Sequence, residues 1–149
     1  MSDKYDFLQG AEIVNALEAF VSKGDFKEAF EQCKDHIEEN FWQIFQSAVD
    51  SEGNPWPEHA PSTVASMGEH DLLVDTGALL QSMTDTSNYT ISDRYMVASC
   101  DLDYAEYQNF GTSNIPAREF MYLRPETMDK IMETIYAYCL LKYGEMKGR

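Results

Sequence analysis

The sequence predicts an α+β fold, with long N-terminal and C-terminal helices packed on a small antiparallel β-sheet. Apolar side chains recur at helical spacing up to about residue 49 and again beyond residue 125. Two short β-rich segments, 87–92 and 94–99, lie between these helical regions. Helices and strands that are segregated along the chain are typical of α+β domains.

Length and composition favour one domain. The 149 residues are 44% hydrophobic and 13% aromatic, and a chain of this size buries about 70% of its unfolded surface. We divide it into a helical pair at 1–49, a loop-rich and β-hairpin region at 50–123, and a C-terminal helix at 124–149. No apolar run approaches the roughly 20 residues of a membrane span, and no signal peptide is expected at the N-terminus.

The N-terminal region predicts two helices. The first covers 11–23 and ends at Gly24. The second begins with Asp25 as N-cap and Glu28 as its capping-box partner, and its apolar stripe continues to about Val49. This stripe is a candidate subunit or partner interface, but a simple core is the favoured interpretation. Its candidate interface residues are Phe26, Phe30, Ile37, Phe41 and Phe45.

The middle region predicts loops, short helices and a hairpin. Three prolines and Gly53 interrupt the helix, and we expect Trp56 to be held against the core. Ser62 and Thr76 are predicted to cap short helices that run to Met67 and over 77–83. The dipeptide Asp93-Arg94 is the predicted hairpin turn.

The C-terminal helix is predicted to start at Pro125, since proline is favoured at the first helical position. Gly144 is expected to end the helix or fray it. The predicted buried face consists of Met128, Ile131, Met132, Ile135 and Cys139.

We predict no enzyme, no metal site and no cofactor. The three cysteines, Cys33, Cys100 and Cys139, are odd in number and widely spaced, so neither a disulfide framework nor a zinc site is indicated. Cys33 and His36 have the spacing of a thiol–imidazole pair, but a chance pairing on a buried stripe is the favoured interpretation. The acidic cluster of Asp101, Asp103 and Glu106 lacks calcium-loop spacing and is interpreted as a solvated turn.

The charge disfavours direct binding to duplex DNA. The chain has 26 Asp and Glu against 11 Lys and Arg, which gives a formal net charge of −15. Such a surface keeps a protein soluble, repels DNA or attracts a basic partner.

Three segments occur in order: "EGNPWPEHAPSTVASMG", "LLVDTGALLQSM" and "YAEYQNFGTSNIPAREFMYL". Together they resemble the phage virion morphogenesis family, the tail-completion proteins typified by those of phages Mu and P2. Gln108 stands where the family usually has histidine. The residues that match the family pattern are Gly53, Trp56, Thr63, Asp75, Thr76, Gly77, Leu79, Ser82, Tyr104, Ala105, Phe110, Gly111, Pro116, Ala117, Arg118 and Phe120.

The resemblance implies a structural virion protein of a tailed bacteriophage that completes the tail at its head-proximal end or neck for head–tail joining. It implies other tail or neck proteins as partners, a homo-oligomeric ring, and a location in the virion, with the host cytoplasm during assembly. If a ring surrounds the DNA path, an acidic lumen would let DNA pass without specific binding. The alternative is an acidic DNA mimic, a decoy that binds a basic host nucleic-acid-binding protein.

Within the third segment, the sequence predicts a buried Phe110 followed by a positive φ at Gly111. Phe120 is expected in the core. Arg118 has two interpretations: it locks two loops together, with Asp75 as the candidate partner, or it docks a neighbouring subunit. The loop lock is favoured.

Overall fold

The computed structural model describes residues 15, 18, 19, 22–67 and 77–147, and it confirms the α+β class. The described residues of the predicted first helix, 15, 18, 19, 22 and 23, are helical, and the others lie outside the described part. A 3₁₀ turn covers Thr86–Asn88. The elements with defined bounds are α1 (Lys27–Ser47), α2 (Pro61–Met67), α3 (Ala78–Thr84), β1 (Tyr89–Ile91), β2 (Met96–Ala98), α4 (Ala105–Phe110) and α5 (Pro125–Lys147).

Helix α1 lies at the centre, with α5 on one side and α3 on the other. Helices α1 and α5 are antiparallel. The N-terminal Glu28 is paired with Lys142 at 3.5 Å, whereas Asn40 Oδ1, near the other end of α1, accepts a hydrogen bond from the backbone N–H of Arg124 at 2.9 Å. None of the helices in 22–67 and 77–147 combines the length and apolar character needed to cross a bilayer.

The predicted capping box at the start of α1 is wrong. Phe26, not Asp25, is the N-cap residue, and no side chain caps the helix. The backbone N–H of Phe26 instead donates to the carbonyl of Asp93 in the hairpin turn at 2.9 Å. The start of α1 is therefore held by a tertiary hydrogen bond to the hairpin instead of by a local side-chain cap.

The core is built on the apolar stripe of α1. Ile37, Phe41 and Phe45 are buried in it, so the prediction that they form a subunit interface is wrong. Phe26 and Phe30 are half-buried; their rings lie 6.4 Å apart, and Phe26 also contacts Tyr138 of α5. The buried cluster comprises Ile37, Phe41, Ile44, Phe45, Trp56, Leu79, Leu80, Met83, Tyr89, Ala105 and Phe120.

The predicted hairpin is confirmed, with strands of three residues each. The register pairs Tyr89 with Ala98 and Ile91 with Met96. Asp93 and Arg94 occupy the turn, which is closed by a 2.9 Å hydrogen bond from Ser92 N to Tyr95 O.

The C-terminal helix begins at Pro125, as predicted, but its predicted buried face is partly wrong. Cys139 is buried, whereas Met128 and Met132 are exposed. The face that meets α1 instead includes Thr127 and Tyr138, because each residue turns the helix by about 100° and a shift of one position changes which side chains point inward. The helix continues through Gly144 to Lys147.

Tyr89 makes stability sensitive to alkaline pH. Burial, with contributions from Glu38 and Asp85, raises the pKa of Tyr89 from 10.0 to about 12. Since the folded pKa lies above the unfolded one, this contribution is complete below pH 10 and is lost as the pH rises towards 12. We expect Tyr89→Phe to reduce the fall in unfolding free energy over that interval, measured by urea denaturation. The exposed Tyr95→Phe is the control, and an equal reduction in both variants would contradict the prediction.

Candidate functional site

The first and third sequence segments meet in the fold. We call this assembly the loop junction and define it as residues 49–58, 105–111 and 115–122. Its contacts run from aromatic and guanidinium side chains of one loop to backbone atoms of another. Parts of two of the three segments that carry the resemblance are therefore close in space as well as ordered in sequence.

Trp56 anchors the first loop of the junction, as the sequence predicted. Its indole N–H donates to the carbonyl of Glu119 at 2.9 Å, and its ring meets Phe45 edge-on with centroids 5.7 Å apart. The side chain of Glu119 also contacts the first loop. Its Oε2 accepts hydrogen bonds from the backbone N–H and the hydroxyl of Ser51 at 3.0 and 2.6 Å. The two loops are thus tied in both directions.

Arg118 locks the same two loops. Its Nε donates to the carbonyl of Pro57 at 2.8 Å and its Nη2 to that of Glu58 at 3.1 Å. The side chain is buried, with 6% of its surface exposed, and burial lowers the pKa of the guanidinium, partly offset by Glu58. The loop-locking interpretation agrees with these contacts, whereas Asp75, the predicted partner, lies outside the described residues.

Replacing Arg118 tests the lock. We expect Arg118→Met to lower the free energy of unfolding by about 2–4 kcal/mol, because two hydrogen bonds from a charged donor are lost. Arg118→Lys is expected to cost about 1–2 kcal/mol, since an ammonium cannot reproduce the guanidinium fork. Urea denaturation followed by tryptophan fluorescence measures both. The exposed Arg94→Met is the control, and a Lys variant as stable as the parent chain would contradict the lock.

Two buried asparagines complete the junction, and the sequence analysis missed both. Asn109 Oδ1 accepts hydrogen bonds from the backbone N–H groups of Phe120 and Met121, each at 2.9 Å. Asn40 donates to the carbonyl of Tyr122 at 2.8 Å. The available signal was a polar residue within an apolar helical stripe, directly before Phe41, which indicates a buried amide with fixed partners.

Gly111 makes the tight turn that follows α4. Its φ is +74°, as predicted, and an added Cβ would lie 2.7 Å from the backbone nitrogen of Ala117 and 2.9 Å from the carbonyl oxygen of Ile115. The neighbouring Pro116 and Ala117 are exposed. The glycine is therefore required both by its conformation and by the close approach of another backbone segment.

The prediction that Phe110 is buried is wrong, since 72% of its surface is exposed. Helix α4 has six residues, and its buried positions, Ala105 and Asn109, are four apart. Phe110 follows Asn109 by about 100° of helical rotation and so faces solvent. Tyr104 and Tyr107, at three-residue spacing from Phe110, are exposed as well. We call these three side chains the aromatic ridge.

The second sequence segment contributes to the core. Leu79 and Ser82 are buried in α3, whose N-cap is Gly77 with φ +70°. Asp75 and Thr76 lie outside the described residues, and the predicted cap at Thr76 therefore lies outside them as well. The predicted Ser62 cap is wrong, since α2 already begins at Pro61; Thr63 is half-buried in the same helix, and Gly53 is exposed in the loop before it.

The side chains weighed as catalytic or metal-binding candidates in the sequence have other partners in the structure. His36 Nε2 lies 3.2 Å from Thr134 Oγ1, not on the thiol of Cys33, and burial raises the pKa of that thiol. Asp101 accepts a hydrogen bond from Ser82 at 3.2 Å. Among the described residues, no group of His, Cys, Asp and Glu side chains is arranged to hold a metal ion. All three cysteines are free.

Position 108, where the family pattern has histidine, carries a buried amide oxygen. Gln108 Oε1 is shielded from solvent and has no hydrogen-bond donor within the described part of the chain. The backbone carbonyl of the same residue accepts from Arg118 N at 2.8 Å. An unsatisfied buried acceptor costs about 1–3 kcal/mol, which the surrounding packing must offset.

No family model, no curated protein and no solved structure matches this chain.

Proposed function

We propose that this chain is a structural virion protein of a tailed bacteriophage, which completes the tail at its head-proximal end or neck so that head and tail can join. The observation that carries the proposal is the interlocking of the first and third sequence segments in the loop junction, through Trp56 and Arg118. The resemblance suggests the class of protein. The contacts of Trp56 and Arg118 give a physical reason why these residues of the family pattern are present.

Three polar side chains of the junction bond within the protein. The indole of Trp56, the guanidinium of Arg118 and the amide of Asn109 all bond to backbone groups of neighbouring loops. Side chains that form such hydrogen bonds between loops hold the loops in one conformation. A component of a large assembly needs such rigidity, because ordering a mobile loop on binding would reduce affinity.

The aromatic ridge is our candidate for contact with another virion subunit. The apolar stripe of α1 was the sequence-based candidate for this contact, but its central side chains are buried in the core. Exposed aromatic side chains on a rigid support are enriched at the centres of protein interfaces. A second exposed apolar row, formed by Met128, Met132 and Tyr136 at four-residue spacing on α5, offers further contact area. A ring of copies accounts for both surfaces, and its acidic lumen would let DNA pass.

Electron microscopy of particles tests the proposal. Particles from the parent phage or induced prophage are compared with particles that lack this chain. We expect density for the chain at the head-proximal end of the tail, and unjoined heads and tails in its absence. Complete infectious particles that lack the protein would overturn the proposal and favour the acidic decoy.

Complementation of the phage that lacks this chain with single and double variants tests the aromatic ridge separately. Tyr107→Ala removes a ridge side chain that is 53% exposed, and Tyr95→Ala removes a hairpin tyrosine that is 54% exposed. Both variants are expected to fold, since neither side chain is in the core. We expect Tyr95→Ala to restore joined particles and Tyr107→Ala with Phe110→Ala to fail. Equal restoration would exclude the ridge as the contact.

A further inference from the structure

A hollow of about 520 Å³ opens between the middle of α1 and the end of α3. None of the residues that line it belongs to the loop junction. Pockets that hold small ligands or side chains have volumes of about 300–1,000 Å³, so this space suffices for a large side chain and its neighbours. The side chains that line it are Asp35, Glu38, Glu39, Trp42 and Thr84.

The carboxylates of the hollow lack the counterions that others on the same helix have. Glu28 and Glu31, in the first half of α1, are paired with Lys142 at 3.5 Å and Lys34 at 2.7 Å. Among the described residues, no cation forms an ion pair with the three carboxylates of the hollow. Glu39 Oε1 accepts a hydrogen bond from Gln43 Nε2 at 2.6 Å, but this amide is neutral and leaves the charge unpaired. Asp35 lies three residues before Glu38 and four before Glu39, and like charges at these spacings are neighbours on a helix and destabilise it locally.

Trp42 gives the hollow an aromatic wall. Its side chain is 46% exposed, whereas the other tryptophan, Trp56, is buried with its indole N–H bonded. The face of an indole attracts a cation placed within about 6 Å of the ring centre. An exposed indole beside unpaired carboxylates thus combines two independent attractions for the same kind of ligand.

Carboxylates in and near the hollow also affect the buried side chain of Tyr89. Glu38 from the hollow and Asp85, which follows α3, both contribute to raising the pKa of Tyr89, although burial is the larger cause. Asp85 is held in place by hydrogen bonds from Ser87, whose backbone N–H lies at 2.9 Å. Asp85 therefore adds a negative charge of fixed position directly after α3.

We propose that this hollow binds an arginine side chain from a basic segment of a partner protein. The guanidinium would stack on Trp42 and donate in a forked arrangement to Asp35 or Glu39. Arginine fits better than lysine, because its planar group both stacks on aromatic faces and pairs with carboxylates. A compact metal ion fits less well, because the carboxylates line a wide space and do not converge on one point. The inference does not rest on the proposed virion role.

A peptide titration tests the site with the full chain. The probe is a labelled acetyl-Gly-Arg-Gly-Arg-Gly-amide peptide, whose affinity is measured by fluorescence anisotropy at low ionic strength. We expect Asp35→Asn with Glu39→Gln to weaken binding by about tenfold, the loss of one well-formed charge pair. Trp42→Ala is expected to weaken it by about fivefold.

Matched controls separate this site from general acidity. Glu28→Gln with Glu31→Gln removes the same charge from the same helix, and we expect less than about a threefold change. A citrulline peptide, which keeps the shape without the charge, is expected to bind at least about tenfold more weakly. An equal loss in the two double variants, equal binding of the citrulline peptide, or displacement of the arginine peptide by Mg²⁺ beyond the effect of matched ionic strength would each overturn the proposal.

Discussion

Phe120→Ala is expected to lower the free energy of unfolding by about 3–5 kcal/mol, the range for removing a fully buried aromatic ring. Phe120 has 0% of its surface exposed, and its ring packs on Phe45 at 5.5 Å between centroids. Asn109 fixes its backbone N–H, so the chain cannot shift far to fill the space. A cavity that surrounding atoms cannot collapse into carries the larger penalty.

The control is the same substitution ten residues earlier. Phe110→Ala is expected to change stability by less than about 0.5 kcal/mol, since its ring faces solvent. Chemical denaturation of both variants beside the parent chain makes the comparison direct. If Phe110→Ala destabilised the chain as much as Phe120→Ala, the exposure of the aromatic ridge would be contradicted.

Gly111→Ala is expected to cost about 3 kcal/mol or more, which combines backbone strain with steric overlap. Its φ of +74° and ψ of 171° lie in a region that is open essentially to glycine alone. The new Cβ would also meet the backbone nitrogen of Ala117 at 2.7 Å, so a loop must move. Because this turn follows the aromatic ridge directly, the displaced loop is also expected to reduce particle assembly.

Gly53→Ala separates the two causes. Gly53 also has a positive φ, +86°, but no atom lies within 4 Å of its added Cβ. We therefore expect only the conformational cost of about 1–2 kcal/mol. Thermal unfolding of both variants measures the difference, and equal costs would show that the contact with Ala117 contributes nothing.

Several predictions from local sequence agree with the structure because local chemistry decides them. Proline at the first helical position starts α5 at Pro125, and the β-rich segments around Asp93-Arg94 form the hairpin. Gly111 adopts a positive φ, as its place between Phe110 and a proline-containing turn suggested. Trp56, a large apolar side chain between two prolines, is buried.

The errors concern which side of an element meets the rest of the chain, and where helices begin and end. Met128 and Phe110 were predicted inside because they are apolar, yet α4 and α5 turn Asn109 and Thr127 inward instead. Asp25 has the right residue type for a cap, but Phe26 finds its partner in the hairpin. The partner of Phe26 is Asp93, which lies in the hairpin and far along the chain, and no local pattern encodes such a contact.

By itself, the sequence determined the α+β class, the hairpin, the start of the last helix, the burial of Trp56 and the positive φ of Gly111, because spacing, proline, glycine and aromatic side chains act over a few residues. Only the tertiary structure decided that Arg118 bonds two loop carbonyls, that the stripe of α1 is core, and that Trp42 stands exposed beside unpaired carboxylates. The physical reason is that burial and ion pairing are settled between distant segments, where packing overrides local preference.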